Sequence, residues 1–180
     1  ACVIGDGKIN FLTGFFEIYP NSKLFSVNVT EVLIHDYLIL QKYKYIDDND
    51  IQVITSENDS ILPNKRLYLI PSSLKNFLYN KKIQIFINIA SFQEMLMNEI
   101  DAYMDIIKNN KSLFYCCNRE NKKLYDGNEI IFDKYPWGKG KLIFKENCPW
   151  HQKYYTLKPN FIYKYEGNIK HCLIDYSDGY

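Results

Sequence analysis

The sequence lacks the features that mark several broad protein classes. No apolar run approaches the ~18 residues that a membrane-spanning helix needs, so no helical span is expected. No signal peptide is visible, and the expected location is cytoplasmic. Neither sign of charge predominates: 22 Lys and Arg stand against 21 Asp and Glu, a net charge of +1. The broad basic surface that nucleic-acid binding demands is therefore not expected. The five cysteines (Cys2, Cys116, Cys117, Cys148 and Cys172) contain no C-x-x-C pair, and an odd number cannot complete a disulfide framework. Cys116 and Cys117 lie in an apolar run and read as reduced core residues. Only three histidines occur, and no His, Asp or Glu cluster has metal-ligand spacing. Asp47-Asp48-Asn49-Asp50 lacks the glycine and distal glutamate of a calcium loop.

What is present describes a globular α/β chain. Hydrophobic residues make up 47% of 180 residues, enough for one domain with a full core. Short apolar strands are expected at 1–4, 23–28, 51–54, 66–70, 83–89 and 113–117. Helices are expected at 9–19 and 30–43, with a short one at 72–78 and a longer one at 91–109. Thr30 is the expected cap of the second, with Leu33, Tyr37, Leu38 and Leu40 on its buried side. In the last, Leu96, Ile100, Tyr103, Met104 and Ile107 share one face. Alternating strands and helices imply a Rossmann-like, doubly wound, mostly parallel sheet. After residue 118 the pattern changes to antiparallel strands near 129–133, 141–145, 161–165 and 170–175, with Asp126-Gly127 and Glu166-Gly167 as turns. Residues 1–180 are read as one domain. The chain starts without Met inside an apolar run, and an N-terminal region is expected before it.

The first strand ends in Gly5-Asp6-Gly7 and runs into a helix. In an open parallel sheet, ligands bind beyond the carboxyl ends of the strands where strand order reverses. Glycines there permit a tight turn and close approach of a nucleotide-like ligand. The match to G-x-G-x-x-G is incomplete, because Asn10 holds the third position. The second strand ends in Asn28, where dinucleotide enzymes place an acid for the ribose hydroxyls. Asn28 can hydrogen-bond a hydroxyl without charge assistance.

Three further segments carry a resemblance: Ile89-Ala90-Ser91-Phe92-Gln93-Glu94-Met95, Phe114-Tyr115-Cys116-Cys117-Asn118-Arg119 and Cys148-Pro149-Trp150-His151-Gln152. With the first turn, they resemble a bacterial family assigned as sugar O-methyltransferases that use S-adenosylmethionine. The resemblance runs from residue 1 to about residue 155. It implies a class I methyltransferase fold, a sugar or glycan acceptor and a place in surface-glycan synthesis. It also implies that Gly5, Asp6 and Gly7 line the cofactor site.

A sugar hydroxyl is a poor nucleophile near neutral pH, so a positioned base is needed. His151 and Glu94 are the candidates. His151 sits in a polar-aromatic loop and has a near-neutral intrinsic pKa. Glu94 follows a sheet strand, but Ser91-Phe92-Gln93-Glu94 is equally a capping box. Gln93, Asn118, Arg119, Trp150 and Gln152 are the expected substrate contacts, with Arg119 suited to a phosphate or carboxylate. A surface ion pair with Glu120 or Asp126 would account for Arg119 as well. Tyr135-Pro136-Trp137 reads as core packing or acceptor lining. His35 and His171 read as structural or surface residues. Two other functions fit the same pattern: a nicotinamide-dependent oxidoreductase, and a non-catalytic module that binds a glycan.

Overall fold

The structure, a computed structural model, describes residues 1–165 and 167–178, with Lys8 described by its backbone alone. Six strands come first: β1 (Cys2–Ile4), β2 (Leu24–Asn28), β3 (Ile51–Val53), β4 (Leu67–Pro71), β5 (Ile85–Ile89) and β6 (Leu113–Arg119). Helices α1 (Asn10–Ile18), α2 (Thr30–Tyr43) and α3 (Met97–Asn109) connect them, with a 3-10 segment at Ser72–Leu78. β7 (Asn121–Lys123) and β8 (Glu129–Ile131) pair as a hairpin around Gly127, whose φ is +90°. Then come β9 (Lys141–Asn147), the hairpin β10 (Lys153–Tyr155) and β11 (Ile162–Lys164), and β12 (Ile169–Asp175). The expected turn at Glu166-Gly167 falls partly outside the described residues; Gly167 itself has a φ of +77°.

The main sheet has the order β3-β4-β2-β1-β5-β6-β12-β9. Its first six strands are parallel, and β12 lies antiparallel between β6 and β9. This is a Rossmann-like α/β architecture. The chain leaves β1 toward β2 on one side and returns to β5 on the other, so strand order reverses at β1. All of β1 and most of β2 and β4 are buried, as expected of parallel strands covered on both faces.

Alternate residues feed two cores. Val3, Leu24, Leu67 and Leu69 pack with Leu12 and Phe16 of α1 and Leu33 and Leu40 of α2. Cys2, Ile4, Phe86 and Phe114 pack with Ile100, Tyr103, Met104 and Ile107 of α3. Fully burying each large side chain contributes about 1.5–3 kcal/mol. Tyr135 and Trp137 join the second core, which gives the aromatic cluster its packing role.

Several local expectations are corrected. Thr30 is the first helical residue and Val29 the cap position, one residue earlier than expected. On α2 the buried side carries Leu33, Asp36 and Leu40, while Leu38 is exposed. The predicted helix at 91–109 begins only at Met97. Phe92–Glu94 forms a separate 3-10 turn, and Leu96 occupies the exposed cap position. Ser91 makes no capping bond; its Oγ donates to the Ile4 carbonyl at 2.9 Å. That long-range bond ties the segment to β1 and displaces the capping box.

Candidate functional site

The first turn lies at the reversal point. Gly5 has a φ of +75°, and a Cβ there would lie 2.4 Å from the Cβ and Oγ of Ser91. Glycine is thus required at this position for backbone conformation and for contact with the end of β5. Gly7 differs: a Cβ there meets nothing within 4 Å, so the space over it is open. Asp6 is buried and turned inward. Its carboxylate accepts from the Phe11 and Leu12 amides at 3.1 and 2.8 Å, satisfying the first turn of α1. Burial pushes the Asp6 pKa up, and the two amides oppose the shift. Asp6 therefore shapes the turn that Gly5 and Gly7 present.

Two cavities meet at Gly5. One, of 260 Å³, is lined by Val27, Asn28, Ser72, Met95 and Tyr103. The other, of 320 Å³, is lined by Asp6, Gly7, Asn10, Phe11 and Ile89. Asn28 closes the first cavity with its Oδ1 accepting from Val29 N at 3.0 Å, which leaves its Nδ2 as a donor. A larger cavity of 870 Å³ is lined by Ala1, Phe15, Lys81, Lys82 and Gln84. It lies at the opposite, amino ends of β1 and β5, away from the strand ends where such sheets bind ligands.

Beneath the turn runs a polar network that the sequence reading did not anticipate. Asn88, fully buried in β5, donates to the Ile4 carbonyl at 3.1 Å and to Ser91 Oγ. Its Oδ1 accepts from Phe92 N at 3.1 Å and from Asn118 Nδ2 at 2.8 Å. Asn118 Oδ1 accepts from Gln93 N at 3.2 Å, and Gln93 Oε1 accepts from Arg119 N at 2.8 Å. Gln93 and Asn118, expected to contact substrate, are thus bound into the frame joining the ends of β1, β5 and β6. The one signal for Asn88 was a lone amide inside the apolar run Ile85-Phe86-Ile87-Asn88-Ile89. Next to it, Ala90 takes a φ of +59°, a conformation costing about 1–2 kcal/mol. Its amide donates to the Cys117 carbonyl at 2.8 Å.

The network leads to Arg119 and then to His151. The Arg119 guanidinium lies 4.8 Å from the centre of the Tyr165 ring. The Tyr165 hydroxyl is 3.2 Å from His151 Nε2. Burial, and secondarily the Arg119 charge, hold the His151 pKa below the ordinary 6.5, so the imidazole is neutral at pH 7. Gln152 holds this loop in place: its Nε2 donates to the Cys148 and Ile169 carbonyls, and its Oε1 accepts from Ile169 N. Its amide is therefore engaged within the fold. Trp150 is exposed and meets the His171 ring edge-on at 5.1 Å.

Glu94 is half-exposed. Its carboxylate pairs with Lys122 Nζ at 3.1 Å and accepts from Gln93 Nε2 at 3.3 Å. His35 is exposed. His171 is buried between the Tyr115 hydroxyl and Glu146. All five cysteines are buried and free, and burial pushes the Cys117 and Cys172 thiols up to about 12. Among the described residues, no group of His, Cys, Asp and Glu could hold a metal ion, and no helix is long and apolar enough to cross a membrane.

No family model and no curated protein matches the sequence. Solved structures do. The chain is similar to the methyltransferase domain of the bacterial protein CtHen1, at 12% identity over 97% of this chain and 88% of that one, with a TM-score of 0.53. It is also similar to the mitomycin 7-O-methyltransferase MmcR, at 9% identity and a TM-score of 0.52. That alignment covers 97% of this chain and 48% of MmcR, so the chain spans about half of that enzyme's length. At these identities the likeness shows a shared fold.

Proposed function

We propose that this chain is an S-adenosylmethionine-dependent O-methyltransferase that transfers a methyl group to a sugar hydroxyl. The observation that carries the reading is the first turn: open space over Gly7, two cavities meeting at Gly5, and the Asn28 amide at the end of β2. The likeness in fold to two methyltransferases supports it. The sequence resemblance described above favours a sugar acceptor.

The residues present fit this cofactor. The open backbone at Gly7, in the turn that Gly5 shapes, would admit it, and Asn28 Nδ2 would donate to a ribose hydroxyl. No carboxylate stands at the end of β2, so that grip is uncharged and weaker than a charge-assisted one. When bound, the cofactor supplies an electrophilic methyl group for in-line displacement.

The rest falls to this chain's own side chains. Of the two candidate bases, His151 is the better placed. Its imidazole is neutral and belongs to a loop clamped by Gln152, whereas both Lys122 and Gln93 occupy the Glu94 carboxylate. His151 would accept the hydroxyl proton at Nδ1, with Nε2–H donating to the Tyr165 hydroxyl and so orienting the ring. Gln93 and Asn118 would act by fixing the backbone of Arg119, and Trp150 offers an exposed aromatic face to a sugar ring.

The test is transfer of isotope-labelled methyl from S-adenosylmethionine to a panel of sugars and sugar phosphates. Label should appear on a hydroxyl oxygen and fall at least ~100-fold with His151→Gln, the usual range for loss of a general base. Labelled product at an unchanged rate from that variant would overturn the assignment of the base. No labelled sugar from a preparation that binds the cofactor would overturn the acceptor.

A further inference from the structure

The end of β6 and the β10–β11 hairpin border an open pocket of 450 Å³ lined by Arg119, Tyr154, Lys164 and Tyr165. Two of its four lining residues are cationic and none is acidic. Arg66 and Arg119 both lie over an aromatic ring with Nε buried and unpartnered, but Arg66 pairs with Asp50 at 3.2 Å, whereas among the described residues no carboxylate pairs with Arg119. The Arg119 guanidinium rests on the Tyr165 face. The carboxylates expected to pair with it are engaged elsewhere. Glu120 binds Lys170 at 2.7 Å, and Asp126 accepts from the backbone and side-chain amides of Asn128. Asp133 is held by Lys145 and Lys170.

With the nearby carboxylates engaged, the guanidinium is left for an acceptor from outside the chain. Its planar fork of donors fits the oxygens of a phosphoryl group, and stacking on an aromatic ring holds that fork in one plane. The mount is firm. Gln93 Oε1 fixes the Arg119 backbone, and Tyr165 is in ring contact with Tyr154 and His151. Lys164 adds a second positive charge to the lining of the pocket. Tyr165 thus touches both Arg119 and His151, the proposed base.

We infer that Arg119 and Lys164 form an oxyanion subsite that binds the phosphate of a phosphorylated sugar. That the bound molecule is the methyl acceptor rests on the proposed function; that the pocket binds phosphate does not. A phosphate anchored on Arg119 would set the sugar ring beside His151, so the acceptor is a sugar phosphate or sugar diphosphate rather than a neutral sugar. Such an acceptor must be supplied by a phosphorylating or nucleotidyl-transferring reaction.

The test is calorimetric titration of the full chain with inorganic phosphate, glucose 1-phosphate, a nucleoside diphosphate glucose, glucuronate and neutral glucose. Each is run on the wild type, Arg119→Gln, Arg119→Lys and Lys164→Gln. Phosphate-bearing ligands should bind saturably and more weakly as salt is raised. Arg119→Gln should weaken them at least tenfold, and Arg119→Lys should only partly rescue, since it keeps charge but loses the fork. Comparing the monophosphate with the diphosphate ligand identifies the source of the phosphoryl group. Equal binding by wild type and Arg119→Gln, or equal binding of glucose and glucose 1-phosphate, would overturn the subsite. So would a preference for glucuronate over every phosphate. S-adenosylmethionine titrated into the same samples reads the cofactor site separately. Phosphate binding without cofactor binding would overturn methyl transfer and leave the subsite standing.

Discussion

Gly5 and Gly7 are two residues apart and answer to different constraints. Gly5 is held by the fold, through a positive φ and the Ser91 side chain. Gly5→Ala should therefore destabilise the protein by about 1–3 kcal/mol in denaturant unfolding, from left-handed strain and crowding together. Gly7 has room for a side chain and no positive φ. Gly7→Val should unfold within about 0.5 kcal/mol of wild type, the range of a surface change. If the open space is the ligand's, the same variant should still weaken S-adenosylmethionine at least tenfold. His151 makes a separate prediction. Its folded pKa lies below 6.5, so the imidazole gains its charge only as pH falls through that lower value. The kcat/KM should rise with pH along a limb whose midpoint is below 6.5, with a plateau at neutrality. A midpoint above 6.5 in a kcat/KM profile, which reports the free enzyme, would contradict the role. Asp36 offers a stability test. Burial, then the nearby Asp6 charge, raise its pKa from 3.8 to about 6. Because the folded value exceeds the unfolded one, the penalty of the charged form is absent below pH 3.8, grows through pH 6 and is complete above it. Asp36→Asn should accordingly stabilise by up to about 3 kcal/mol at pH 8 and by little at pH 4, measured by urea titration at both pH values.

At the scale of elements, the site rests on a frame of amides at the ends of β1, β5 and β6. Asn88 and Asn118 are both fully buried and bonded to each other. Replacing either with Leu leaves the partner unsatisfied, which costs about 1–3 kcal/mol. The double variant Asn88→Leu/Asn118→Leu should cost less than the sum of the singles, measured by chemical denaturation, since it removes both members of a pair. Strict additivity would show that they do not act as a unit. This frame also marks where the sequence could be read and where it could not. The strands β1, β2, β4, β5 and β6 were legible because continuous apolar runs have few other fates. The first turn was legible because glycines between a strand and a helix have a known use. The capping box at Ser91 was misread because a local pattern cannot reveal a carbonyl 87 residues away. The short strands β7 and β10 were missed, being mostly exposed and carrying little apolar periodicity. Gln93, Asn118 and Gln152 stood out as polar residues, but only their partners in space show that they brace backbone.

For the molecule as a whole, strand order places the reversal at β1, and the two cavities, the amide frame and the Arg119–His151 pair all gather at the same ends of the strands. The sheet's antiparallel strand β12 carries the loop anchor for His151 through Ile169. The same strand thus both extends the sheet and sets the candidate base. The larger cavity at the amino ends has none of these features, which is why volume alone does not locate the site. The central claim is that the turn at Gly5-Asp6-Gly7 holds S-adenosylmethionine. Equilibrium titration of the full chain with S-adenosylmethionine, its demethylated product and NAD tests it most directly. Saturable one-to-one binding of the first two, lost in Gly7→Val and absent for NAD, is the predicted result. Binding of NAD alone, or no binding of either methyl-cycle ligand to folded protein, would contradict it.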